Sequence, residues 1–166
     1  MIVAHDQNRG IGIRNGLPWR LQGDMKYFRK VTIGAKNNAV IMGRKTWDSV
    51  PEKFRPLSDR VNIVLTRNPN QQYPEAVIVC ASLDEALAAA EEKKVDNIFL
   101  LGGSQIYELG LEHGHCKSLY ITELMTTFDC DAFFPVYKER FRLIDQSASQ
   151  EENGIPYIWN VYEKSK

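Results

Sequence analysis

The sequence predicts an α/β fold: a mostly parallel sheet of eight strands with an antiparallel C-terminal edge, flanked by about four helices. Three observations predict it. Short apolar, β-branched runs recur along the chain, helical patterns separate the earlier runs, and only a polar turn separates the last two. In chain order the runs are residues 2–4, 39–42, 61–66, 76–80, 97–101, 118–122, 140–144 and 156–162, bounded by Gly, Pro, Asn or Asp. Helical spacing falls on residues 24–32, 45–50, 83–93 and 105–112. Ser82-Leu83-Asp84-Glu85 is a capping box that opens the third of these, which is rich in alanine. The turn 145–154 carries no helical pattern, so the last two strands are expected to pair antiparallel at the sheet edge. No repeat, low-complexity tract or long linker divides the chain, so residues 1–166 read as one domain.

Bulk properties narrow the partners. Apolar residues make up 43% and charged residues 25%, the balance of a soluble globular chain. Lys+Arg and Asp+Glu both number 21, so there is no overall charge to draw the protein to nucleic acid or to an anionic membrane. Any cationic site must be local. The first residues carry neither a charged segment nor a long apolar one, so no signal peptide is expected, and no apolar run reaches the roughly 20 residues that span a bilayer. Cys80, Cys116 and Cys130 are widely spaced, without a CxxC, and His113-Gly114-His115-Cys116 fits no common zinc pattern. They read as free thiols of a cytoplasmic protein without a metal.

In open α/β sheets ligands bind beyond the carboxyl ends of the strands. Two of those ends are strand–glycine–helix junctions: Gly43-Arg44-Lys45-Thr46 and Gly102-Gly103-Ser104. Glycine admits a phosphate close to the backbone, and a helix start offers unpaired N–H groups. Two such junctions facing one crevice can hold a dinucleotide; each alone also fits a plain turn or a solvated helix start. Arg44, Lys45 and Arg67, the last after Thr66 at a third strand end, favour an additional phosphate. The common Rossmann glycine fingerprint is absent.

Two further stretches stand out. Residues 11–21 are too long and Gly-rich for a simple turn, yet they hold Leu17, Pro18 and Trp19. They fit either a lid over a ligand or a plug at the core edge. Next, Asp24, Phe28 and Val31 share one helix face. A carboxylate beside apolar residues fits either a favourable first-turn acid or a group awaiting a hydrogen-bonding ligand.

These residues resemble the dihydrofolate reductase family. The matching blocks run in order along essentially the whole chain: Gly12-Ile13-Arg14-Asn15-Gly16-Leu17-Pro18-Trp19, then Asp24 with Tyr27-Phe28-Arg29 and Thr32, then residues 40–49, 55–65 and 101–107, then Tyr120-Ile121-Thr122, Asp131 and Phe133-Phe134-Pro135. The resemblance implies NADPH-dependent reduction of dihydrofolate to tetrahydrofolate for one-carbon metabolism, by a cytoplasmic monomer that also binds antifolate inhibitors. It implies that Asp24 binds the pterin with support from Thr122, that Trp19 holds a water, and that Leu17 rides on the mobile loop. Ile2, Ala4, Phe28, Val50, Leu57 and Leu101 would line the substrate site, and Arg60 would bind its α-carboxylate. Ala4, Ile11, Gly43, Arg44, Lys45, Thr46, Thr66 and Arg67 would hold NADPH, together with Leu101, Gly102, Gly103, Ser104, Gln105, Ile106 and Tyr107. A cis peptide between Gly102 and Gly103 is implied as well. The chain departs from the family pattern at Gly10, at Gln22-Gly23 where a proline is common, and at Ser104 and Gln105 in place of a Gly and an Arg; the second of these departures puts a firm start to the first helix in question.

Two other readings compete. The pyrimidine reductase of riboflavin synthesis shares the architecture but does not require the Leu17-Pro18-Trp19 loop, Asp24 or Arg60. A non-catalytic nucleotide-binding module could keep the glycines and Arg44 while losing Asp24, and this chain keeps both sets.

Overall fold

All eight expected strands and all four expected helices form, each within two residues of its expected bounds, in a computed structural model that describes residues 1–68 and 70–166. The strands are β1 (Ile2–His5), β2 (Gly10–Gly12), β3 (Asn38–Gly43), β4 (Val61–Leu65), β5 (Val77–Cys80), β6 (Asn97–Leu100), β7 (Ser118–Leu124), β8 (Ala132–Phe133), β9 (Phe141–Gln146), β10 (Gln150–Glu152) and β11 (Ile155–Lys164). The helices are α1 (Gln22–Ile33), α2 (Arg44–Ser49), α3 (Leu83–Glu92) and α4 (Ser104–Glu112). Ser82 Oγ accepts from the Glu85 amide, and Glu85 Oε2 accepts from the Ala81 amide, so the predicted α3 capping residues do cap the helix.

The expectation of a single eight-stranded sheet is corrected. Among the described residues the ladders form an all-parallel sheet, β5-β4-β3-β6, a second sheet built on β1-β7-β11 with β10 and β9 on β11, and a two-stranded ribbon β2-β8. β1 and β7 are parallel, whereas every pairing of β11 is antiparallel, which is the expected C-terminal edge. The segment 145–154 is also more than a turn. Its first two residues extend β9, and β10 folds against β11 through Asn153 (φ 53°) and Gly154 (φ 75°), the left-handed pair that a tight hairpin needs.

The two larger sheets share one core on each face. Alternation along a strand sends Ala39 and Ile41 to one side and Val40 and Met42 to the other. The first side joins Val3, Ile63, Leu100 and Ile121 to Ala86 of α3 and Tyr107 of α4; the second joins Ile2, Val64 and Phe99 to Trp47 of α2 and Phe28 of α1. Residues of both sheets meet on both faces, so the sheets act as one layer between two pairs of helices. Cys80, Cys116 and Cys130 are free thiols.

Candidate active site

The site begins with how α1 starts. Leu21, in the N-cap position, has no side chain able to accept a hydrogen bond. Glu152, from the β10–β11 hairpin, takes that role: its Oε1 accepts from the Gln22 amide at 2.7 Å and its Oε2 from the Gly23 amide at 2.8 Å. Those hydrogen bonds hold the Glu152 carboxyl below its ordinary range. The helix start that lacks the family's proline is therefore tied down from across the fold. A Cβ on Gly23 would lie 2.7 Å from the Tyr157 hydroxyl, so the bare backbone is what allows this approach.

Asp24 follows in the first turn. Its Oδ1 accepts from Thr122 Oγ1 on β7 at 2.6 Å and from Trp159 Nε1 on β11 at 3.0 Å. Burial pushes the Asp24 carboxyl above the ordinary value, against those two hydrogen bonds, and the nearby Glu152 pushes the same way. The shared helix face read from the sequence exists: Phe28 and Val31 pack with Leu57, Leu101 and Tyr120 against the core patch holding Ile2 and Phe99. The Arg60 guanidinium lies 5.8 Å over the Phe28 ring and donates to Thr32 Oγ1 at 2.9 Å. Val50 ends α2, and Ala4 pairs with Thr122 in register. The sequence reading missed Trp159 and Glu152; the Asn153-Gly154 hairpin signal would have placed Glu152 next to a turn, but nothing local points Trp159 at Asp24.

The two glycine junctions lie side by side. The Gly43 amide donates to the Gly102 carbonyl at 2.8 Å, and a Cβ on Gly103 would lie 3.7 Å from Thr46 Oγ1. Gly102 has φ 109°, a conformation suited to glycine, and the Gly102–Gly103 peptide is cis, as is Arg55–Pro56. Tyr107 is buried beneath Gly102 and donates its hydroxyl to the Ile2 carbonyl at 2.8 Å, tying α4 to β1. Ile106 is buried too, in the first core, with its Cγ1 3.4 Å from where a Cβ on Gly43 would sit. Ser104 is half-buried and Gln105 exposed at the start of α4, where the first-turn amides lack intrahelical acceptors. Arg44, Lys45 and Arg67 are exposed, and among the described residues no carboxylate lies within ion-pair distance of them. Thr66 joins β4 to β5 by donating its amide to the Cys80 carbonyl.

The glycine-rich stretch divides into two behaviours. Arg14 (φ 48°) and Asn15 (φ 59°) form a two-residue turn closed by paired hydrogen bonds between Ile13 and Gly16, and the Arg14 amide donates to Asp131 Oδ2. Trp19 plugs the core edge beside Leu21, Leu124 and Tyr157, with Phe128 against its ring, whereas Leu17 is 57% exposed. Ile11 packs at the margin of the first core. An open groove of about 610 Å³ runs along the outer side of α1, lined by Lys26, Arg29, Lys30, Ile33, Gly34 and Asp59. It touches neither Asp24 nor the glycine junctions.

A family profile described as dihydrofolate reductase matches residues 1–164. The chain belongs to the dihydrofolate reductase family. It is 43% identical to "Dihydrofolate reductase" of Aedes albopictus, covering 99% of this chain and 96% of that one. It is 44% identical to the Heliothis virescens protein of the same name, with the same two coverages. Against the Rattus norvegicus protein of that name the identity is 43%, over 98% and 95% of the two chains. As a dihydrofolate reductase family member the protein is an oxidoreductase that reduces dihydrofolate to tetrahydrofolate with a nicotinamide cofactor. No helix among the described residues is long and apolar enough to cross a membrane.

Proposed function

We propose that the reductant is NADPH, that residues 1–166 form one catalytic domain working as a cytoplasmic monomer, and that Asp24 is the carboxylate that recognises and activates the pterin. The observation that carries this reading is the Asp24 carboxylate itself: half-buried, with no ion-pair partner among the described residues, and with both protein donors on Oδ1. Oδ2 takes part in no hydrogen bond among the described residues, which suits it to accept from the pterin ring N–H and amino group. An ionised Asp24 bonded there raises electron density in the ring and so the proton affinity of N5. Phe28, Val50, Leu57, Ile2, Ala4 and Leu101 would exclude water around the pterin and benzoyl rings, and Arg60 would bind the α-carboxylate of the glutamate tail. The same pocket would accept antifolate inhibitors. Trp19 would hold a water, and Leu17, exposed on its loop, has the freedom to close over the site.

The residues at the junctions fit NADPH. Gly43, Gly102 and Gly103 present bare backbone at the junction, the amides of Ser104, Gln105 and Ile106 lie in the first turn of α4 without intrahelical acceptors, and Thr46 and Thr66 offer hydroxyls. Ile11, Ala4, Leu101 and Tyr107 would flank the nicotinamide end. Bound there, NADPH supplies a hydride from nicotinamide C4 to pterin C6. Arg44, Lys45 and Arg67, with no ion-pair partner among the described residues, would pair with the adenosine 2′-phosphate. A charge-assisted contact is worth roughly 1.5–3 kcal/mol. Replacing Arg44 and Arg67 by Ala should therefore raise KM for NADPH by about tenfold or more and leave KM for NADH nearly unchanged in a dihydrofolate-dependent oxidation assay. Equal losses with both cofactors would refute the phosphate assignment.

A further inference from the structure

Trp159 has no role in the reading of the sequence, yet it is one of only two protein donors to Asp24 among the described residues. Thr122 and Trp159 are direct partners in the β7–β11 register, and both donate to Oδ1, at 2.6 and 3.0 Å. The indole is held on two sides. It stacks on Tyr27 with ring centroids 4.5 Å apart and 14° between planes, and Tyr157 meets it edge-on at 5.7 Å. Two donors from fixed positions on one oxygen set the carboxylate plane, which a single hydroxyl, free to rotate, would not do.

The electrostatic surroundings sharpen the point. The groups facing Asp24 are Tyr27 on its own helix, Tyr157 beside Trp159 on β11, and Glu152 from β10. Burial pushes the Tyr27 hydroxyl up to about 12, so it is neutral at physiological pH, and backbone hydrogen bonds hold the Glu152 carboxyl low, as an anion. No Lys or Arg pairs with Asp24 among the described residues, so the anion relies on neutral donors alone.

We infer that Trp159 is a positioning residue for the reduction: with Thr122 it fixes the Asp24 carboxylate in one orientation and leaves Oδ2 as the face offered to the pterin. The inference rests on the reading of Asp24 as the pterin carboxylate. Trp159→Phe keeps the ring against Tyr27 and deletes only the N–H. In this variant the anion loses a donor, so the carboxylate becomes more basic. Its titration in the free enzyme, followed by carboxyl carbon NMR, should move upward by roughly half to one pH unit. The midpoint of the pH profile for single-turnover hydride transfer should move the same way, with cofactor KM unchanged. In an Asp24→Asn background, which has no carboxyl there to titrate, the same substitution should leave the pH profile unshifted.

A Trp159→Phe enzyme whose rate falls by the same factor at every pH, with the Asp24 titration unmoved, would show that the ring only packs. A wild-type measurement covers the case in which that variant fails to fold. The Trp159 indole N–H resonance should move with pH in step with Asp24, and lose that dependence in Asp24→Asn; a resonance flat across the Asp24 titration overturns the proposal. Near-normal hydride transfer in Asp24→Asn would instead overturn the reading of Asp24 itself, which separates the two failures.

Discussion

At the scale of single residues, the role proposed for Asp24 works against stability. Its carboxyl is raised above the unfolded value chiefly by burial. The folded protein therefore binds the proton more tightly than the unfolded chain does. Stability from this group is fully present below the unfolded pKa of about 3.9 and is lost as pH rises through the folded one. Asn in its place keeps a carbonyl that can accept from Thr122 and Trp159 and carries no charge. Asp24→Asn should thus be more stable than the wild type at pH 7, by roughly 0.5–2 kcal/mol as is usual for a single stabilising change. The gap should close below about pH 4, and thermal melts of both ligand-free proteins across pH 3–7 would check it. The spacing of Asp24, Phe28 and Val31 made this face legible in the sequence, because helical periodicity is local. Trp159 was not legible: its contact depends on the register between β7 and β11, which no local pattern encodes. Leu17 and Trp19 show the same limit. The sequence marks both as apolar on a loop, and only the packing separates the buried ring from the exposed side chain.

At the scale of elements, the helices and long strands were legible because capping, periodicity and β-branched runs act over a few residues. β2, β8 and β10 were not. Each has only two or three residues, β2 is glycine-rich and β10 polar, and each exists because a partner strand or turn imposes it. β10 matters most to the site. It delivers Glu152 to α1, and Asn153 Nδ2 adds a hydrogen bond to the Arg20 carbonyl at 2.8 Å. The helix that presents Asp24 is thereby started by a hairpin some 130 residues away in the chain. Glu152→Ala removes the acceptor of two backbone amides and should lower Tm at neutral pH. Because the Glu152 carboxyl is held below its ordinary range, that contribution is present above the unfolded pKa and disappears as pH falls through the folded one. Melting temperatures of variant and wild type should therefore converge in acid. A variant as stable as the wild type at pH 7 would show that the cap contributes nothing.

At the scale of the whole molecule, the site draws on both sheets. β7 and β11 hold Asp24 in place through Thr122 and Trp159, while β3 and β6 end in the paired glycine junctions. Tyr107 fastens the two halves through the Ile2 carbonyl, and the shared cores keep them in one layer. On the proposed reading one carboxylate, with no ion-pair partner among the described residues, meets the pterin beside the cofactor, and the proton needed at N5 is managed through Asp24. Single-turnover hydride transfer, measured between about pH 5 and pH 8 for the wild type and Asp24→Asn, tests that claim most directly. At neutral pH the variant should be slower by about 10²–10⁴-fold, the usual contribution of a positioned acid–base group. As the pH falls, solvent protonates the substrate and the variant should recover part of the deficit. A deficit that stays constant from pH 5 to pH 8 would contradict the account, because Asp24 would then position the pterin without governing its proton.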